Sequence, residues 1–194
     1  MGLGDSLIRN LDAVSSLSML DGEDTLVGKA IEGESSAFGT LYDHYQPRIY
    51  RFVLIRVGRR EEAEDLTHQA FLNAWKNIGN YKHRGLPFSS WLYRIARNLI
   101  IDFYRTAKND LPLDDELNVI TEDHRLLEKK LENEQLMAAI RTLKNEHQEV
   151  IILRFIEEYS IAETAAAMER SQGAVKLLQH RALHRLRLTL ENHE

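Results

Sequence analysis

The sequence has no cysteine. That absence removes disulfides, thiolate zinc sites and thiol nucleophiles together, and it fits a reducing compartment. Long apolar runs are missing too: none approaches the roughly 20 residues needed to cross a bilayer. At the N-terminus Asp5, Arg9 and Asp12 interrupt the apolar residues, unlike the basic start and unbroken apolar core of a signal peptide. These gaps predict a chain that works in the cytoplasm without membrane insertion. Alternating strand patterns and internal repeats are also lacking. Helical periodicity fills almost every segment, so the expected fold is all-α.

With 43% hydrophobic and 28% charged residues in a chain of 194, there is enough apolar material for real cores, and the length suits two small helical domains. A net charge of -5 argues against coating nucleic acid by bulk charge, but the charge is segregated. From Lys82 to Lys108 six cations face Asp102 alone, and from Arg170 to Arg187 five cations face no acid. Between them, Asp110 to Glu134 carries nine acids against three cations. Two basic islands on an acidic tether point to two separate nucleic-acid contacts. The expected domains are an N-terminal extension over 1–23, a helical domain over 24–108, an acidic linker over 109–130 and a second helical domain over 131–194.

In the first domain, Phe38, Leu41, Tyr42, Tyr45, Ile49, Phe52 and Val53 recur at helical steps and outline a buried stripe. Gly58 suits a helix C-cap. Glu61, Glu62, Glu64 and Asp65 then crowd the first turn of a helix running to about Asn77, where acids complement the helix dipole. A loop follows over Asn80 to Pro87, and then a helix from about Phe88 to Arg105. On a helical wheel Arg94, Arg97, Asn98, Ile101, Arg105 and Lys108 share one stripe, opposite Leu92, Ile95, Ala96, Leu99 and Phe103. The loop before it, Asn80-Tyr81-Lys82-His83-Arg84-Gly85, offers amide, aromatic and cationic groups, which suit an unstacked base. Trp91 invites the role of a wedge that opens a base stack, but beside Leu92 and Ile95 it reads first as a core residue.

The second domain reads as a helix-turn-helix. Val150, Ile151, Leu153 and Ile156 form the apolar side of a helix ending around Glu158. Ser160 and Glu163 make a capping box for a short helix whose Ile161, Ala165 and Met168 point inward. Ser171 caps a longer helix with Val175, Leu178, Ala182 and Leu186 on one side and Lys176, His180, His184 and Arg187 on another, a basic face suited to duplex DNA. His180 and His184 share an i, i+4 spacing, but no further ligand accompanies them and no metal is expected.

At these residues the chain resembles the sigma factors of bacterial RNA polymerase, in the extracytoplasmic-function (ECF) group of the sigma-70 family. The run Phe88 to Asp102 with Arg105 is similar to that family's promoter-melting segment. Asp65-Leu66-Thr67 with Ala70-Phe71-Leu72 and Trp75 resembles its polymerase-binding segment. Glu149-Val150, Leu153-Arg154, Ser160, Glu163, Ala165, Ser171, Gly173, Val175-Lys176, Arg181-Ala182 and Leu186-Arg187 follow its C-terminal pattern. The resemblance implies an alternative sigma factor, not an enzyme, that needs no cofactor. Together with the loop and the two basic faces read above, it points to Asn80, Tyr81, Lys82, Arg84, Arg94, Arg97, Asn98 and Arg105 for the -10 element, and to Arg170, Ser171, Gln172, Lys176, Leu177, His180 and Arg181 for the -35 element. It assigns Glu61, Asp65, Leu66, Gln69, Phe71, Leu72 and Trp75 to polymerase binding. The implied partners are core RNA polymerase, through its β′ clamp helices and β subunit, promoter DNA and an anti-sigma factor.

The chain departs from the pattern in places. The usual Gln-Glu pair of the polymerase segment stands as His68-Gln69. The usual Pro, Gly and Gly near the helix junctions stand as Lys144, Glu158 and Glu169, and Glu169 is expected to cost turn stability because glycine tolerates positive φ freely. Leu177, Leu178 and Leu183 stand where Ser, Arg and Arg are common. Leu178 is expected in the core, whereas Leu177 should be exposed, within reach of a thymine methyl or a protein partner. Two other classes compete: a conventional helix-turn-helix regulator of duplex DNA, which leaves the Asn80 to Arg105 pattern unused, and a helical hydrolase, which lacks a paired metal-ligand motif.

Overall fold

A computed structural model describes residues 20–82, 86–110 and 134–191, and these fall into two compact units, 20–110 and 134–191. The described residues contain helices and no strand, and no helix among them is long and apolar enough to cross a membrane.

The first unit holds α1 (Glu23–Ile31), α2 (Ser35–Val57), α3 (Arg60–Asn77), a tight 3-10 turn (Ile78–Asn80) and α4 (Phe88–Asp110). Gly58 ends α2 as its spacing foretold: at φ 76° its N–H donates to Leu54 O, a left-handed cap that glycine adopts without penalty. At the start of α3, Arg59 pairs with Glu62 and Arg60 with Glu64 at 2.8 Å. Leu41, Tyr45, Ile49, Phe52 and Val53 of α2 are buried against Phe88, Leu92, Tyr93, Ala96 and Ile100 of α4 and the alanine-rich side of α3. Ala63, Ala70 and Ala74 keep that side low, so α2 and α4 both lie close to α3. Phe52 and Tyr93 meet edge-on at 5.1 Å. Each such large side chain contributes about 1.5–3 kcal/mol through burial.

One difference from the sequence reading lies at the start. Glu23, expected in the N-terminal extension, is the first residue of α1 and only 3% exposed. The expected boundary at residue 24 therefore cuts through a packed contact.

The second unit holds α5 (Glu134–Arg141), α6 (Asn145–Ile151), a π-helical turn (Ile152–Ile156), α7 (Ile161–Met168) and α8 (Gln172–Glu191). Its core joins Leu136, Met137 and Ile140 of α5 and Leu143 beyond it to Val150–Leu153, Ala165 and Met168, and Val175, Ala182, Leu186 and Leu190. The buried Gln148 amide donates to Arg141 O at 2.7 Å and Leu143 O at 3.0 Å, satisfying carbonyls that the end of α5 leaves open.

The helix expected to run to Glu158 widens instead. The Glu157 N–H reaches Ile152 O, five residues back, at 2.9 Å, and Tyr159 N–H reaches Leu153 O at 2.8 Å. The capping box forms as read: Ser160 N–H donates to Glu163 Oε2 at 2.6 Å and Glu163 N–H to Ser160 Oγ at 3.2 Å. Glu158 and Glu169, which stand at the family's usual glycines, both adopt left-handed backbone, at φ 59° and 53°. Val175, Ala182 and Leu186 are buried as expected, while Leu178 is only half-buried.

Candidate nucleic-acid interface

The first candidate surface is the outward face of α4. Asn98 and Arg105 are exposed and Arg94 and Arg97 half-buried, so none of the four turns wholly into the core. The Arg97 guanidinium lies 3.4 Å from Asn98 Oδ1, and Arg105 pairs with Asp102 at 3.0 Å. Ile101 is exposed on the same stripe, as its wheel position indicates. At the N-terminal end of the face, Asn80 and Lys82 are exposed and Tyr81 is half-buried, whereas Arg84 lies outside the described residues.

Trp91 is not the core residue its neighbours suggested. It is half-buried, at the head of the stripe that Arg94 and Asn98 continue, and its ring lies 5.1 Å from Tyr81 and 5.4 Å from Phe88. Its i, i+3, i+7 spacing with Arg94 and Asn98 carried that information, but its apolar character pointed inward. Tyr81 in turn meets Phe88 at 5.4 Å. Burial, then the charges of Glu23 and Asp24, push the Tyr81 phenol up to about 12, so the ring stays neutral at working pH. A neutral aromatic shelf beside an amide and cations can stack an unpaired base and hold its backbone.

The second surface is the outward side of α8. Gln172, Lys176, His180, Arg181, His184 and Arg185 are exposed there, with Leu177 50% exposed among them. The Ser171 hydroxyl accepts from Ala174 N–H at 3.2 Å and so caps the helix. Folding reduces the charge that the sequence counts. Arg170 pairs with Glu146 of α6, and Arg187 with Glu191 at 2.9 Å. The cations toward the middle of α8 therefore dominate the face.

One residue that sequence reasoning did not assign holds this surface in place, and a second faces its cations. Arg154, on the π turn, donates from Nε to Gln179 Oε1 at 2.9 Å and from Nη1 to the Tyr159 carbonyl, fastening the turn to α8. His147 of α6 faces Arg181 and Arg185, and its pKa is lowered by burial first, then by Lys144, with Glu146 opposing. Neither arrangement can be read from spacing, because Gln179, Arg181 and Arg185 all arrive from a distant helix. Among the described residues no group of three or more His, Asp or Glu could hold a metal ion.

The third surface lies on α3. Glu61, Asp65 and Gln69 are exposed, and the Gln69 amide donates to Asn73 Oδ1 at 2.8 Å; Leu66 is half-buried. Leu72 and Trp75 are each 37% exposed, while Phe71 is 3% exposed beneath them. With Ser35, Phe38, Gly39, Tyr42 and His68 these three side chains line an apolar groove of about 290 Å³ between α2 and α3. Trp75 packs on Phe38 at 4.9 Å and Phe71 on Tyr42 at 4.7 Å, so the groove wall is a stiff aromatic layer.

Residues 41–109 match Sigma-70 region 2, and residues 139–188 match Sigma-70, region 4. The ECF RNA polymerase sigma factor SigW of Bacillus subtilis (strain 168) is 33% identical over 176 residues, which cover 83% of this chain and 92% of SigW. The chain belongs to the ECF sigma factor family. The region 2 match of this ECF sigma factor falls in the α1–α4 unit and the region 4 match in the α5–α8 unit. BldN, an ECF RNA polymerase sigma factor of Streptomyces coelicolor, is 40% identical over 168 residues; these cover 83% of this chain but 63% of BldN. The structure of CnrH in complex with the cytosolic domain of CnrY aligns with a TM-score of 0.71 at 23% identity, covering 89% of this chain and 99% of that one. That likeness supports the fold.

Proposed function

We propose that this chain is an alternative sigma factor: it binds core RNA polymerase, directs it to specific promoters and helps open the -10 region. The observation that carries the reading is that one chain presents two separate outward cationic faces, on α4 and α8, the first with an aromatic shelf at its head. Duplex DNA needs only the second kind of face, whereas a melted strand needs the first. Extracting a base from the stack costs a few kcal/mol. Stacking returns about 1–3 kcal/mol and edge hydrogen bonds add to it, so capture offsets opening without a hydrolysable cofactor.

In this reading residues 24–108, extended to include Glu23, form the polymerase-binding and -10 domain. Asn80, Tyr81, Lys82, Arg84, Arg94, Arg97, Asn98 and Arg105 contact the melted strand. The domain over 131–194 reads the -35 duplex through Arg170, Ser171, Gln172, Lys176, Leu177, His180 and Arg181, and the acidic stretch 109–130 joins the two. Glu61, Asp65, Leu66, Gln69, Leu72 and Trp75 meet the β′ clamp helices, with Phe71 supporting that face from below. The β subunit is a further polymerase contact. CnrH is a sigma-like fold solved with a protein bound to it; an anti-sigma protein is the corresponding regulatory partner here. The protein acts in the cytoplasm, by binding alone.

Transcription from a genomic promoter library, with native core polymerase and this protein, tests the reading. It should yield a defined set of start sites absent with core enzyme alone. Weak core binding together with no initiation on any promoter would refute it.

A further inference from the structure

We propose that Glu23 is a positioning residue for promoter opening: its buried carboxylate pins the first turn of α4 to α1 and α2, and so, through the buried Phe88, holds Tyr81 and Trp91 ready to receive an unstacked base. The inference rests on the reading above that this face takes the melted strand.

A glutamate is rarely buried unless paired, and Glu23 is 3% exposed. Both of its oxygens are engaged. Oε1 accepts from the Phe88 backbone N–H at 2.8 Å, across 65 residues of chain, and Oε2 accepts from the Tyr45 hydroxyl on α2. The Phe88 N–H is one of the donors that every helix start leaves without an intrahelical partner. Helices usually satisfy such donors with a local Ser, Thr, Asp or Asn, but Leu86 and Pro87 precede α4 and neither side chain can accept. Glu23 supplies the acceptor from α1, with a charge suited to the positive end of the helix dipole.

The ring of the anchored residue then carries the shelf. Phe88 lies 5.4 Å from both Tyr81 and Trp91, which are 5.1 Å from each other, and 6.1 Å from Tyr45. The Phe88 backbone is thus fixed by Glu23, and the Phe88 side chain supports the two aromatics at the surface. Releasing the carboxylate frees the first turn of α4, and the shelf loses its shape while the cations of α4 and the α3 face stay where they are. Glu23 touches no DNA in this account; it acts through Phe88.

The test uses the full chain reconstituted with core RNA polymerase. The probe is the non-template strand of a promoter that the wild-type holoenzyme opens, with 2-aminopurine placed singly through its -10 region. Stacking on Tyr81 and Trp91 should quench fluorescence at one position. Glu23→Ala should abolish that position-specific quench and slow open-complex formation by roughly tenfold, the loss expected for a buried charged acceptor. Its affinity for core polymerase should stay within about twofold, as for uncoupled sites. Glu23→Gln keeps an acceptor for Phe88 N–H and should stay within about threefold of wild type in opening, with the quench retained.

An unchanged quench and opening rate in Glu23→Ala would overturn the proposal. So would Gln as defective as Ala, or a parallel loss of core binding, which would mark a general packing role. If Glu23→Ala does not fold, Glu23→Asp takes its place: it keeps the charge but withdraws it by one methylene, and an unaltered quench there would overturn the idea equally. A wild-type holoenzyme that opens no promoter would sink the sigma reading, and this role with it.

Discussion

Asn98 and Arg97 are neighbours in sequence and differ in what they present to solvent. Asn98 is exposed on the outward face of α4, whereas Arg97 is half-buried at its flank with its guanidinium against the Asn98 carbonyl oxygen. Asn98→Ala should therefore slow promoter opening by roughly fivefold, the worth of about one hydrogen bond, without weakening core-polymerase binding. Opening kinetics beside a polymerase titration would check this, and equal losses in both would contradict it. Tyr81 supplies a second outcome. Its neutral form is favoured in the folded state, so its contribution to stability is intact below pH 10 and is lost as pH rises through about 12. Glu23→Gln removes one of the charges raising it, and burial remains, so the Tyr81 titration seen by tyrosinate absorbance should move down yet stay above 10. The basic stripe was legible because its residue types repeat at helical spacing. The half-buried position of Trp91 was not, because an aromatic side chain suits a core and a surface layer equally, and only packing against Tyr81 and Phe88 places it at the surface.

Helix boundaries show the same division one level up. The capping box at Ser160 and the C-cap at Gly58 formed where their residues indicated, since a cap is a bargain between groups only a few residues apart. The π turn over Ile152–Ile156 was not foreseen. Arg154 stabilises it by reaching the Tyr159 carbonyl and Gln179 of α8, and the second of these is 25 residues away. The two junctions flanking α7 also store strain: a non-glycine residue in left-handed backbone costs roughly 1–2 kcal/mol, part of which a glycine returns through its greater freedom when unfolded. Glu158→Gly and Glu169→Gly should each stabilise the α5–α8 unit by about 0.5–1 kcal/mol. Thermal unfolding would show this as a raised midpoint, and a lowered one would mean that side-chain interactions at these glutamates outweigh the strain.

Across the whole molecule, each unit has its own buried core, so each should fold when expressed alone. Residues 20–110 and 134–191 should both give cooperative helical melts, the shorter fragment at the lower temperature because a smaller unit buries a smaller share of its surface. A fragment that stays unfolded while the intact chain melts in one transition would show that the units depend on each other. By itself the sequence determined the all-α class, the two-part organisation, both basic islands and the helix-turn-helix. All of these follow from periodicity, charge segregation and short-range caps, which the order of residues encodes directly. Tertiary structure alone decided that Glu23 caps α4, that Glu146 neutralises Arg170 and that Arg154 fastens the turn to α8. It also decided that Trp91 and Tyr81 form one shelf. Each of these pairs partners whose meeting is set by how helices pack, and neither spacing nor composition carries that distance.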